Sequence, residues 1–177
     1  MIRKILTTYA TRLEEHLSRF HNQPEGLATV GQIGNSTEEK PNKMVVCLLS
    51  VERETTGGIA APMQRTEDGY ARMQPPLLLN INVMLAAVFD ERQYEESLSM
   101  LTDTLRFIQS VPKFEVDGES YTIEIVNLSV QDQNNMWTLL GGQYYPSVVC
   151  KIRRLCIDGK RIATEGKTAD RPVVEVQ

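Results

Sequence analysis

Histidine is scarce in this chain: there are two, His16 and His21, five positions apart. Metal-binding pairs on one helix face recur three or four residues apart, so this pair does not form a two-histidine metal face, and no acidic residue completes a recognisable set around it. Both read as surface histidines. Cysteine is scarce as well. Cys47, Cys150 and Cys156 are odd in number, lie among apolar neighbours and show no CxxC spacing. That excludes a disulfide framework and a thiolate metal site, and it suits three small buried hydrophobes in a reducing compartment. Clustered cations are missing too: the net charge is −4, and the densest basic group, Lys151, Arg153 and Arg154, sits inside a strand-like segment. Neither nucleic acid nor an anionic membrane is an expected partner. The longest apolar-rich run, Leu77 to Phe89, is interrupted by Asn80 and Asn82. It falls short of the roughly 20 residues that a membrane-crossing helix requires. No continuous apolar stretch follows Met1 to Lys4, so a signal peptide is not expected, and the chain reads as cytoplasmic where it is made.

Signatures of catalysis are also missing. Gly31 and Gly34 lack the third glycine of a dinucleotide loop, and Gly57-Gly58 lacks the Lys-Ser/Thr ending of a phosphate loop. No GxSxG occurs, and the only histidines lie far upstream of every cysteine. Glu52 and Glu54 alternate at a strand end, and two carboxylates are the minimum for acid–base work. Acids on a strand's wet face are far commoner than a hydrolase site. The expectation is no enzyme and no cofactor.

What remains is an ordinary soluble composition, with 41% hydrophobic and 24% charged residues in 177. It fits one domain over residues 1–158 followed by a tail or arm over residues 159–177. Ile2, Ile5, Leu6, Tyr9, Leu13, Leu17 and Phe20 recur at helical spacing and predict an amphipathic helix ending near His21. Leu27 to Ile33 and Lys43 to Glu54 read as strands, the second apolar enough at its centre to be covered on both faces. Residues 55–69 read as the longest loop of the body. Pro75-Pro76 opens a long strand from Leu77 to Phe89. Asp90 then caps a helix whose stripe is Tyr94, Leu98, Leu101, Leu105 and Ile108, with Glu95, Glu96, Ser99 and Asp103 outward. Asp117-Gly118 supplies the positive-φ pair of a tight hairpin. Ser129 and Asp132 have capping-box spacing ahead of a short helix ending at Gly141-Gly142. Tyr145 to Ile157 is the last strand of the body.

Helices do not alternate with strands, so a doubly wound parallel sheet is not expected. The order predicts an α+β fold. Its sheet is mostly antiparallel or mixed, flanked by two main helices and a short helix containing Trp137.

Two segments carry more than this. The first runs from Gly69 to Asn80 (GYARMQPPLLLN). The second runs from Asn134 to Arg153 (NNMWTLLGGQYYPSVVCKIR). Together they resemble the N-terminal domain of the tail-terminator, or cap, proteins of contractile injection systems. In that family a Gly-Tyr segment leads through Pro-Pro into a long strand, and an Asn-x-x-Trp-x-x-Leu-Gly-Gly-x-Tyr-x-Pro-Ser segment leads into the final one. The matching positions are Gly69, Tyr70, Arg72, Pro75, Pro76 and Asn80, then Asn135, Trp137, Leu140, Gly141, Gly142, Tyr145, Pro146 and Ser147. The resemblance covers roughly residues 1–158.

It implies a structural part without catalysis. Such a part forms a hexameric ring on the last layer of tube and sheath, ends polymerisation and couples sheath to tube. Its partners are copies of itself and the tube and sheath proteins. Interfaces are expected at strand edges and loops, with Glu52, Glu54, Gly57, Gly58, Arg65, Lys151 and Arg153 as candidates. Residues 55–69 and the tail are the segments expected to be ordered by neighbours. A baseplate- or sheath-associated adaptor is the alternative within the same machinery, and a small hydrolase or ligand-binding domain the alternative outside it.

Overall fold

The computed structural model describes residues 1–21, 26–34, 41–54, 63–66, 69–73, 76–158 and 162–167. Two units are distinguished, one of Met1–Glu52 with Asn80–Leu155 and one of Arg53–Leu79 with Cys156–Gln177.

The first unit opens with helix α1 (Ile2–His21), which buries Ile5, Leu6, Tyr9, Ala10, Leu13 and Leu17 as its spacing requires. Strand β1 (Ala28–Val30) pairs in parallel with β2 (Lys43–Arg53), setting Ala28 against Met44 and Val30 against Val46. The strand β5 (Leu77–Val88) is central, and Leu79 to Phe89 is buried throughout except at Asn82. A 3₁₀ turn (Glu91–Gln93) leads into α2 (Tyr94–Ser110), and the Asp90 side chain accepts the Arg92 N–H at 3.0 Å. The hairpin β6 (Lys113–Val116) and β7 (Glu119–Ile125) turns on Asp117 and Gly118, whose φ of 53° and 82° give the pair of positive values a tight antiparallel turn needs. After α3 (Val130–Leu139) comes β8 (Ser147–Ile157). The resulting six-stranded sheet has the order β1-β2-β5-β8-β7-β6 and is mixed, because β1 runs parallel to β2 while β7 is antiparallel to β6 and β8. The α+β class follows as the element order implied.

Side chains alternate across a strand, so each face has its own core. On one face Tyr9 of α1 stacks on Phe107 of α2 and Phe114 of β6, at centroid distances of 5.4 and 5.1 Å. Phe114 in turn meets Tyr121 at 5.7 Å. The opposite face carries α3. There Val45, Cys47, Met84, Ala86, Val88 and Val149 pack with Trp137 and Tyr145.

The second unit holds a three-stranded antiparallel sheet, β3 (Met63–Thr66), β4 (Gly69–Met73) and β9 (Ile162–Lys167), in the order β3-β4-β9. Residues 63–66 are thus a strand within the stretch expected to be a loop, and residues 162–167 are a strand within the expected tail. The Thr-, Gly- and charge-rich composition of both stretches hid short strands, and β9 finds its partner β4 about a hundred positions away in sequence.

Three further expectations are corrected. On α2 the inward residues are Ser97, Met100, Asp103, Thr104, Phe107 and Ile108. Of the expected stripe only Ile108 is buried, while Tyr94, Leu98 and Leu105 are 52%, 42% and 38% exposed. Phe107 and Met100 anchor the helix on α1's side, and the polar residues turned in with them are satisfied locally. Thr104 donates to the Met100 carbonyl at 2.9 Å, and Ser97 to that of Tyr94 at 2.6 Å. The histidines are not simply on the surface. His21 Nε2 lies 2.9 Å from the buried Asp103 carboxylate, which also accepts from Arg106 at 2.6 Å. His16 stacks between Phe20 and Phe107. Finally, Cys47 and Cys150 are buried but Cys156 is exposed. Arg154 has φ 77°, a left-handed residue inside a strand. This offsets the alternation by one, so burial passes from Cys150 and Ile152 to Leu155, and Cys156 turns outward.

Candidate functional site

The segment from Ser129 to Ser147 is built around α3. The Ser129 hydroxyl accepts the Asp132 N–H at 3.1 Å and its own O–H donates to the Asp132 carboxylate at 2.6 Å, an N-cap that starts the helix. At the other end the Gly142 N–H reaches the Trp137 carbonyl at 2.7 Å and the Gly141 N–H that of Thr138 at 3.3 Å. That is the paired closure of a Schellman motif, and Gly141 and Gly142 have φ of 105° and 79°. Two glycines therefore stand together because a side chain would be strained at both positions. The sharp stop after Leu140 returns the chain over the helix. Tyr144 and Tyr145 then flank Trp137, with ring centroids at 5.5 and 6.0 Å. Trp137 and Tyr145 are buried, whereas Tyr144 is 64% exposed. Pro146 lends its carbonyl to the Ala87 N–H at 2.9 Å, which ties the start of β8 to β5. Asn135 is exposed and accepts from Gln131 at 3.4 Å.

Beside α3 lies an open groove of about 240 Å³, lined by Val126, Leu128, Met136, Trp137, Tyr144 and Ser147 among others. It contains no histidine, cysteine, acid or base. Among the described residues, no group of three or more His, Cys, Asp or Glu could hold a metal ion. Nor is any described helix long and apolar enough to cross a membrane.

A second cluster continues along the sheet. Lys151 Nζ donates to Glu52 at 2.8 Å, Asn82 donates to Ser50 at 2.9 Å and also to Glu52, and Arg153 pairs with Glu124 at 2.7 Å. The hydrogen bonds from Lys151 and Asn82 hold the Glu52 carboxyl below its ordinary range. A carboxylate committed in this way is a poor base, so the expected strand-end acids read as a structural ion-pair row.

The first family segment falls mostly in the second unit. Gly69, Tyr70 and Arg72 lie on β4, where Tyr70 is opposite Arg65 of β3 and Gly166 of β9. Pro76 precedes β5, and Asn80 is buried within that strand. The Glu54 N–H bonds to the Leu78 carbonyl at 2.9 Å. Pro75, Gly57 and Gly58 lie outside the described residues.

Residues 4–171 match the family described as the Pvc16 N-terminal domain. The chain belongs to that family. Its fold is similar to the sheath/tube terminator of an extracellular contractile injection system, PVC, in the extended state. There the TM-score is 0.64 at 9% identity, over 98% of this chain and 62% of that one. It is also similar to the tube-terminating cap of the anti-feeding prophage, with a TM-score of 0.59 at 10% identity, over 96% of this chain and 59% of that one. The chain thus spans about three fifths of the length of these two structures. No curated protein matches it.

In a member of the Pvc16 N-terminal domain family, the Trp-Gly-Gly segment has a clear local role, which is to fix α3 and the turn after it. Sequence reasoning passed over Tyr144, Asn82 and Glu124. A usable signal existed for the first. Between Val126 and Cys150 the only charged residue is Asp132, in a chain that is 24% charged. Asn82 was visible only as an interruption in an apolar strand.

Proposed function

We propose that this chain is a structural terminator of a contractile injection particle: a hexameric ring that caps the distal end of tube and sheath, stops their growth and links the two. The observation that carries this reading is the family match over residues 4–171, joined to the likeness in fold to two proteins described as a sheath/tube terminator and a tube-terminating cap. The chemistry of the described residues agrees with it. The cysteines Cys47 and Cys150 are buried, Glu52 is held in an ion pair, and the α3 groove offers no acid, base or nucleophile beyond a hydroxyl. We assign the role of partner to further copies of the chain and to tube and sheath proteins, and place assembly in the cytoplasm.

The test is deletion of the gene in a strain that makes the particles, with tube and sheath lengths measured by electron microscopy. Uncontrolled lengths are the expected result, and normal lengths would overturn the proposal. Labelled protein seen at the baseplate end instead of the distal end would replace the terminator with an adaptor.

A further inference from the structure

The two unexplained surfaces of the first unit are the outer face of α2 and the surface around α3. The helix α2 is inverted: it buries Ser97, Asp103 and Thr104 and turns Tyr94, Leu98 and Leu105 outward. Those three, with the half-buried Leu101, recur at four-, three- and four-residue spacing, the stripe by which a helix packs on another surface. Around α3 the exposures are larger still. Val130 and Leu139 are 84% and 88% exposed, and Tyr144 stands 64% exposed over the groove floored by Trp137 and Met136. The charge vacancy from Val126 to Cys150 covers this same surface. Depletion of charge with retention of aromatic and Met side chains is the composition of an interface core, not of a solvated face.

These surfaces differ in shape and in polar chemistry. One is a ridge on a helix, and the other is a groove beside one. The ridge is flanked by Glu91, Glu95 and Glu96, all exposed carboxylates that only accept hydrogen bonds. The groove's rim carries side-chain amides, Asn127 and Gln133 among its lining and Gln131 and Asn134 on the exposed side of α3, which can donate to them and add no repulsion. The two surfaces also lie on opposite faces of one six-stranded sheet, since α2 packs with α1 on the Phe114 side and α3 on the Val149 side. Two complementary patches on opposite sides of one subunit make a head-to-tail contact, the kind that can close into a ring.

We infer that the outer stripe of α2 in one copy docks into the groove beside α3 of the next copy. This rests on the ring reading above and names the surfaces that join its subunits. The test uses two full-length variants. The ridge variant carries Leu98→Arg and Leu105→Arg, and the groove variant carries Leu139→Arg and Tyr144→Arg. All four positions are exposed, and circular dichroism with thermal melting checks that each variant folds as the parent does. Sedimentation velocity then reads association over a concentration series.

The parent is expected to self-associate and each variant alone to remain monomeric. An equimolar mixture is expected to give a one-to-one dimer and nothing larger, because the groove variant's ridge still meets the ridge variant's groove. If the groove variant alone still dimerises and the mixture gains nothing, α2 pairs with α2 of a second copy and the inference falls. If both variants assemble as the parent does, the stripe faces another protein and the inference falls. Either result leaves the terminator reading standing, because that is judged separately by tube length. A parent that stays monomeric at its highest soluble concentration overturns the interface, again without deciding tube length. Where a variant does not fold, Leu98→Gln with Leu105→Gln and Leu139→Gln with Tyr144→Gln replace the arginine pairs in the same mixing scheme.

Discussion

Cys150 and Cys156 are six positions apart in one strand and have opposite surroundings. Burial pushes the Cys150 thiol up to about 12, so almost none of it is thiolate near neutrality, while Cys156 is exposed. In the native protein one thiol is expected to react quickly with a disulfide reagent, and that reaction should disappear in Cys156→Ser. Cys47 and Cys150 should react only on unfolding. Rapid labelling of Cys156→Ser in the folded state would contradict this placement. His16 makes a second residue-scale prediction. Burial holds its pKa below the ordinary value of 6.5, although the nearby Asp103 charge pulls the other way. The folded state therefore binds its proton less readily than the unfolded chain. Stability attributable to His16 is full well above that ordinary value and falls as the pH drops through it. In urea melts from pH 8 to 5, His16→Leu should show a shallower loss of stability than the parent. An identical slope would remove His16 from the account.

At the scale of elements, most of the fold was legible, and the failures share a cause. Periodicity located α1, the long strand β5, the hairpin and α3 because each depends on local rules: a single apolar stripe, an unbroken apolar run, a positive-φ pair, a cap at each end. It failed on α2, where the apolar stripe and the buried face differ by rotation of the helix, and only tertiary contacts with α1 decide which side turns in. It failed again at β3 and β9, where the composition resembles a loop and β9 pairs with residues far away in sequence. The outward turn of Cys156 was also invisible, because nothing at Arg154 announces a left-handed backbone. Much of the candidate site was therefore readable as a motif but not as a surface. The Trp-Gly-Gly pattern marked α3, whereas the exposure of Val130, Leu139 and Tyr144 emerged only from the packing. Substitutions test the two backbone features. Gly142→Ala should cost roughly 1–2 kcal/mol, since φ 79° disfavours a side chain even where space is open. Arg154→Val should cost a similar amount, about 1–2 kcal/mol, while Arg154→Gly should hold or raise stability. Thermal unfolding measures all three, and an Arg154→Val protein as stable as its parent would dismiss the strain at that position.

At the scale of the whole molecule, the first unit carries most of the chain and sets its response to temperature. One core under α1 and another under α3 satisfy its sheet on both sides, yet α2 and α3 leave apolar side chains outside. Inversion of α2 has a thermodynamic consequence. Heat capacity rises on unfolding in proportion to the apolar area newly wetted, about 12–15 cal/mol/K per residue for ordinary globular chains. Tyr94, Leu98 and Leu105, with Val130, Leu139 and Tyr144, are already partly wetted in the folded single chain and contribute less to that change. Scanning calorimetry of dilute protein should therefore give a heat-capacity increment below the ordinary per-residue range. The missing increment should return when copies are associated, because melting then wets both cores and the joint between subunits. The temperature of maximum stability and the curvature of the stability profile would shift with it, so the isolated subunit and the assembled one would respond differently to cold as well as to heat.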